Sequence, residues 1–312
     1  MIMKPRVSPY LQMVLATVLF AAMGVCVKFA SRDFGTAAVV SARGAVGAII
    51  MILIARAAGT PLHTKVPMLH VKRGLAGVTA LSMWFYALSQ LPLATSVTLN
   101  YMSSVWMAVF LLMQSAFLGG KRVDPRIVLA IAVGFAGVAL VLHPTLAKDQ
   151  IGAGLIGLAS GMLSATAYLQ VTALGKAGEP EVRVVFYFSL MGAALGALTW
   201  LIPGQGNPTD LAHIPMHAWL ALLGVGTFAT IAQLLMTRAY GQGNTLVVAN
   251  LQYLGIVHAG LLGTLLFEEN LHWDGLLGMA LIIASGMAST RLKSATPAPA
   301  KPADDQPRTV PQ

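Results

Sequence analysis

Asn100, Gln233 and Asn250 are carboxamides set in long apolar stretches, and Tyr86, Tyr101, Tyr168 and Tyr253 bring phenol hydroxyls to similar surroundings. Such groups are suited to hydrogen bonding rather than to nucleophilic attack. Ser164 belongs with them, because Ser160, Ser164, Tyr168 and Thr172 recur every fourth residue and share one helical face. Ser82, Tyr86 and Gln90 form a similar stripe, as do Asn100 with Ser104, Thr230 with Gln233 and Thr237, and Asn250 with Tyr253. In hydrocarbon a side chain needs a reason to be polar. The candidate substrate-binding set is therefore Tyr86, Asn100, Tyr101, Ser164, Tyr168, Gln233, Asn250 and Tyr253. The competing reading of each Ser and Thr is a bond to the carbonyl one turn back, or a small residue at a helix contact. Trp84, Phe85 and Trp106 add aromatic surface. Aromatic walls with a few amides suit a medium-sized, partly apolar solute.

Three further side chains are ionisable. Lys28 and Arg43 fall in the outer third of the first two apolar runs, with Asp33 as their nearest local partner. They either snorkel to the interface or form a positive entrance for a carboxylate or phosphate. His258 is the histidine nearest the middle of a run, placed either to pass a proton or to pack with a hydrogen bond. All eleven acids lie in loops, at run ends or in the tail, so no carboxylate sits mid-membrane, and Glu268-Glu269 is the one acidic cluster offered to an enzyme working near the bilayer. Cys26 is the one cysteine, which excludes an intramolecular disulfide and a thiolate metal cluster. Gly152 to Gly157 spells GxGxxG, but it opens an apolar helix with no strand before it, so it reads as close helix packing. His213 and His217 have no glutamate beside them for zinc. No cofactor, metal or nucleic acid is expected.

The elements that must position these residues belong in a membrane. The 312 residues are 56% hydrophobic and 10% charged, with mean hydropathy +0.73, against about 25% charged in ordinary soluble domains. Apolar runs near 10–30, 36–57, 74–91, 93–118, 126–143, 151–174, 182–202, 216–237, 243–267 and 274–291 predict ten transmembrane helices. With both termini in the cytoplasm, sixteen Lys and Arg (Lys72 and Arg73 among them) fall on the cytoplasmic side and two, Arg32 and Lys148, on the other. That asymmetry also explains the net charge of +9 without invoking nucleic acid. A shift of 152 positions pairs Ala87 with Ala239, Gln90 with Gln242, Leu99 with Leu251, Tyr101 with Tyr253 and Val105 with Val257, and sets Asn100 opposite Gln252. Matching hydropathy on both sides makes this an internal duplication. Five spans per copy put the copies in the bilayer with opposite orientation. The expected fold is an all-α polytopic membrane protein: a first repeat over residues 1–145, a second over 146–292, and a polar, proline-rich disordered cytoplasmic tail over 293–312.

Arg238-Ala239-Tyr240, Asn250 through Leu254, Gly263, Phe267, Glu269, Gly278, Ile282 and Gly286, with Tyr86-Ala87-Leu88, Leu93-Ala94, Tyr101, Ser103, Gly134 and Gly137, resemble the EamA-type drug/metabolite transporters. The resemblance implies a central cavity lined by helices 1, 3, 4, 6, 8 and 9. Two departures stand out. Ser104 and Ile256 occupy the places of the family prolines after the tyrosines of helices 4 and 9, and Gly119-Gly120 replaces the glutamate that closes helix 4. Small multidrug exporters of the wider superfamily use a mid-membrane carboxylate, which this chain lacks, so a neutral, zwitterionic or anionic cargo fits better. The expected function is secondary transport of a small organic metabolite, such as an amino acid, across the bacterial inner membrane, with small molecule and lipid as partners and no obligate protein partner evident. An importer of a vitamin or nucleoside-like cofactor stays open, as does a membrane-embedded enzyme on lipid-linked substrates. With no catalytic constellation, the chain is not expected to be an enzyme.

Overall fold

The computed structural model describes residues 8–103, 105–107, 109–110, 113, 125–142, 150–200, 213–242, 248, 251–270 and 272–294. The described residues fold into helices without strands: α1 (Pro9–Ala30), α2 (Thr36–Ala57), α3 (Pro67–Gln90), α4 (Leu93–Tyr101), α5 (Pro125–Leu142), α6 (Ile151–Lys176), α7 (Glu181–Trp200), α8 (Met216–Gln242), α9 (Leu254–Phe267) and α10 (Trp273–Ser294). Five apolar stretches, Pro9–Ala30, Thr36–Ala57, Ile151–Lys176, Glu181–Thr199 and Met216–Ala239, are long enough to cross a bilayer. Asn250 and the tail over 295–312 lie outside the described residues.

Proline sets several starts. Pro9 and Pro67 occupy first-turn positions, where a missing N–H costs nothing. Pro67 starts α3 seven residues earlier than the apolar run predicts, so Lys72 and Arg73 are helical rather than loop residues, and Arg73 is buried while Lys72 is exposed. Pro92 forces Leu91 into an extended conformation and so ends α3. The break leaves the Leu91 carbonyl and the Leu93 N–H outside any helix ladder, and both are used by an ion pair described below.

The helices pack chiefly across the two halves of the chain. The most extensive pairings are α2 with α7, α1 with α8, α3 with α6, and α5 with α10, followed by α2 with α8, α1 with α9 and α4 with α6. Exchanging each helix for the one five places along maps α1–α8 onto α3–α6 and α1–α9 onto α4–α6, while α2–α7, α4–α9 and α5–α10 map onto themselves. At the α2–α7 seam the main chains nearly touch: a Cβ on Gly44 would collide with the backbone of Ser189, Gly192 and Ala193.

Helices α4 and α9 are interrupted at corresponding points. Met102, directly after α4, has ψ −9°, and its N–H donates to Leu99 O at 3.3 Å. Tyr253, directly before α9, has ψ −16°, and its carbonyl accepts from Ile256 N–H at 3.0 Å. Both are tightened i→i+3 turns of the kind that marks a hinge within a helix. They occur in a sequence that has Ser104 and Ile256, not proline, shortly after Tyr101 and Tyr253.

Candidate functional site

A cavity of about 70 Å³ lies between helices from both halves. Phe20 and Met23 of α1, Arg43 of α2, Arg73, Gly77, Leu81 and Trp84 of α3, and Asn100 of α4 meet Ser164, Ala167 and Tyr168 of α6, Phe188 of α7, and Gln233 and Met236 of α8 there. It is far smaller than the ~300–1,000 Å³ usual for an organic ligand.

The polar wall is built on α6. Asn100 Nδ2 donates to Ser160 Oγ at 3.0 Å and to Ser164 Oγ at 3.2 Å, fixing the end of α4 on the serine stripe. Ser160 itself donates to Gly157 O, and Thr98, Thr230 and Thr237 also bond the carbonyl three or four residues back. Those hydroxyls are satisfied within their own helices. Tyr168 is hydrogen-bonded to the side chain of Gln252. Asn100 and Gln252, the amides paired by the 152-residue shift, thus reach the same face of α6 from the two halves.

The cationic wall was not expected in this form. Arg43 and Arg73 are 5% and 4% exposed, and their guanidinium carbons lie 5.0 and 4.2 Å from the centre of the Phe188 ring. Arg43 Nη2 donates to Gln233 Oε1 in a long bond of 3.4 Å. Arg43 Nε, Arg73 Nε and Nη1, and Trp84 Nε1 are buried with no hydrogen-bond partner among the described residues. Neither guanidinium has a carboxylate partner among them. Arg73 folds back along its own helix, and its guanidinium occupies the space a Cβ on Gly77 would need. An arginine at the centre of a membrane helix costs about 2.5–3.5 kcal/mol on insertion scales. Two in one chamber, without acids, set up a demand for acceptor oxygens.

Of the predicted site residues, the structure brings together Asn100, Ser164, Tyr168, Gln233 and Arg43. It does not bring Tyr86, which is 41% exposed on the outer face of α3. Tyr101 packs against Gly255, and the Tyr253 ring lies over Gly286, so both hold helices rather than line the chamber. His258 Nδ1 lies 3.2 Å from Thr17 Oγ1, whose own proton goes to Val14 O, so the imidazole donates and sits in the α1–α9 contact. Lys28 pairs with Glu269, not with Asp33. Its Nζ also donates to Leu91 O at 3.2 Å and lies 4.7 Å from the Phe267 ring centre, while Glu269 Oε2 accepts the Leu93 N–H at 2.8 Å. The carboxylate thereby caps the positive N-terminus of α4. A left-handed Glu268 (φ 53°) turns the chain so that Glu269 can do this. Arg73 and Gln252 are residues that sequence reasoning left out of the site; the 152-residue shift set Gln252 opposite Asn100, while nothing separated Arg73 from the other basic residues assigned to the cytoplasmic side.

At another point of contact between the halves, Glu179 in the α6–α7 turn accepts from His70 Nε2 at 3.0 Å, Thr64 Oγ1 at 3.0 Å and Arg183 Nη1 at 3.1 and 3.2 Å. Arg183 Nη2 also donates to Pro61 O at 2.7 Å, tying α7 to the α2–α3 loop. Burial pushes the Glu179 carboxyl up, but the bonds from His70, Thr64 and Arg183, with the Arg183 charge, outweigh it and hold it below the ordinary value. Among the described residues, no group of three metal-ligating side chains converges.

The EamA-like transporter family model matches the chain twice, over residues 7–143 and 151–290. The chain is similar to the pseudopaline exporter CntI of Pseudomonas aeruginosa, at 30% identity over 92% of this chain and 97% of the relative. It is also similar to a riboflavin transporter of Brucella anthropi, at 23% identity over 91% and 99% of the two chains. A protein of known crystal structure aligns with a TM-score of 0.63 and 22% identity, over 92% of this chain and 99% of its own, a likeness of fold alone. Matched over both halves and carrying several helices able to cross a bilayer, this chain belongs to the EamA-like transporter family and is a multi-pass membrane transporter of the drug/metabolite type.

Proposed function

We propose that the protein is a secondary carrier that moves a small organic metabolite, such as an amino acid or related compound, across the bacterial inner membrane by alternating access. Its ten spans form two inverted five-helix repeats, with both termini in the cytoplasm and the cargo held between them. The observation that carries this reading is the chamber itself: polar side chains from α2, α3, α4, α6 and α8, drawn from both halves, converge in an otherwise apolar bundle. The helix pairings that map onto one another under exchange of halves support the repeat. The paired turns at Met102 and Tyr253 support hinges beside the chamber. Asn100, Ser164, Tyr168 and Gln233 orient the cargo. The names of the relatives favour metabolite transport, and the riboflavin transporter among them supports a vitamin as cargo, with import as the second reading.

Flux of labelled amino acids, riboflavin and related metabolites into proteoliposomes tests this. At least one should move faster than into empty liposomes, and Asn100→Ala should abolish that flux while inserting normally. No flux of any above background would refute it.

A further inference from the structure

The chamber's unmet hydrogen-bonding capacity is of one kind. Arg43 Nε, Arg73 Nε and Nη1, and Trp84 Nε1 are all donors, all buried and all without a partner among the described residues. Each belongs to a side chain lining the cavity, and no lining residue is acidic. Both guanidiniums rest on the Phe188 ring, which holds the two charges close together, and both side chains are buried. Buried charge of one sign, left with open N–H groups, calls for a ligand that brings both the opposite charge and acceptor oxygens.

We infer that Arg43, Arg73 and the Trp84 indole form the docking point for a carboxylate of the cargo, which makes the transported metabolite an organic acid. The inference rests on the transport reading above and deepens it. Guanidiniums present planar forks of N–H groups that match a carboxylate edge to edge. Phosphate is the rival oxyanion, and it is usually cradled by a helix N-terminus or a nest of backbone N–H groups. None of the lining residues lies in the first turn of its helix. The rest of the acid meets Phe20, Trp84, Met23 and Met236, with the Asn100 and Gln233 amides available to its polar groups. The small chamber takes the acid head first; the remainder enters as the halves part.

The test uses purified full-length protein in detergent and in proteoliposomes. Carboxylic acids and amides in which every carboxylate has been converted (alanine and alaninamide, succinate and succinamide, benzoate and benzamide) are compared with inorganic phosphate and glycerol phosphate by thermal shift. At least one acid should raise Tm where its amide does not, and Arg43→Gln and Arg73→Gln should each weaken its binding at least tenfold. Both variants should melt higher than wild type without ligand, because each removes a buried charge that has no carboxylate opposite it among the described residues; a merely structural arginine would lower Tm. Arg56→Gln, an exposed arginine, controls for net charge and should change neither reading. Equal shifts by acids and amides, stronger shifts by phosphates, no shift by any acid, or a lower ligand-free Tm in both variants would overturn the assignment. Acid binding that depends on the arginines, without acid flux in proteoliposomes, would leave the anion site standing and sink the carrier reading. Flux with acids and amides treated alike would do the reverse.

Discussion

Arg73 gains its place because Gly77, one turn along α3, leaves the guanidinium room to lie between the helix and Phe188. A methyl group there meets the far end of a flexible side chain and Phe188 Cε2 at 3.0 Å, so it displaces the arginine rather than the helix. Alanine is also the better helix former by about 1 kcal/mol. Gly77→Ala should therefore leave the melting temperature within a few degrees of wild type. It should slow flux of the cargo about tenfold or more, the cost of one hydrogen bond to a charged group at ~1.5–3 kcal/mol. Initial rates in proteoliposomes, beside a thermal melt of the same preparation, check both halves of this statement. The sequence marked Asn100, Ser164, Tyr168, Gln233 and Arg43 because a polar side chain in an apolar run has few places to go. It could not separate Tyr86, on the outer face, from Tyr168, since a stripe of period four reports that residues share a face and not which way the face turns. Tyr101 and Tyr253 misled for a related reason: a phenol can be kept to fill the space over a glycine.

Among the elements, α2 and α7 make the closest contact, and Gly44 is where it is closest. Its neighbours are main-chain atoms, which cannot swing aside. Gly44→Val should destabilise the protein by about 1–3 kcal/mol, the usual range for overpacking, seen as a lower midpoint in a thermal melt in detergent. An unchanged midpoint would mean that the seam is looser than described. The ends of α1, α2, α5, α6, α7 and α10 were legible from hydropathy to within a few residues, because only unbroken apolar runs can bury their backbone in lipid. The run at 93–118, in contrast, gives α4 only to Tyr101, and the run at 243–267 gives α9 only from Leu254. The start of α3 was not legible. Pro67 begins the helix inside a stretch carrying His70, Lys72 and Arg73, and hydropathy averages that turn away although Arg73 is buried. The turns at Met102 and Tyr253 were also hidden, since neither residue type announces a tightened turn.

For the molecule as a whole, polar contacts close its two halves on each other: Lys28 with Glu269 against the α3–α4 link, and Glu179 with His70 and Thr64. Glu179 gives this closure a pH dependence. A carboxyl whose folded value is depressed stabilises fully above its unfolded pKa, about 4.3 for Glu. The contribution disappears as pH falls from there through the lower folded value. Melting temperatures measured from pH 7 downward should converge between wild type and Glu179→Gln below about pH 4, with wild type the more stable above it. Curves that stay parallel would remove Glu179 from the closure. The α2–α7 seam stands apart from these polar ties. At Gly44 no side chain separates the two backbones, so a displacement of either helix there is passed directly to the other, like torque through a keyed shaft.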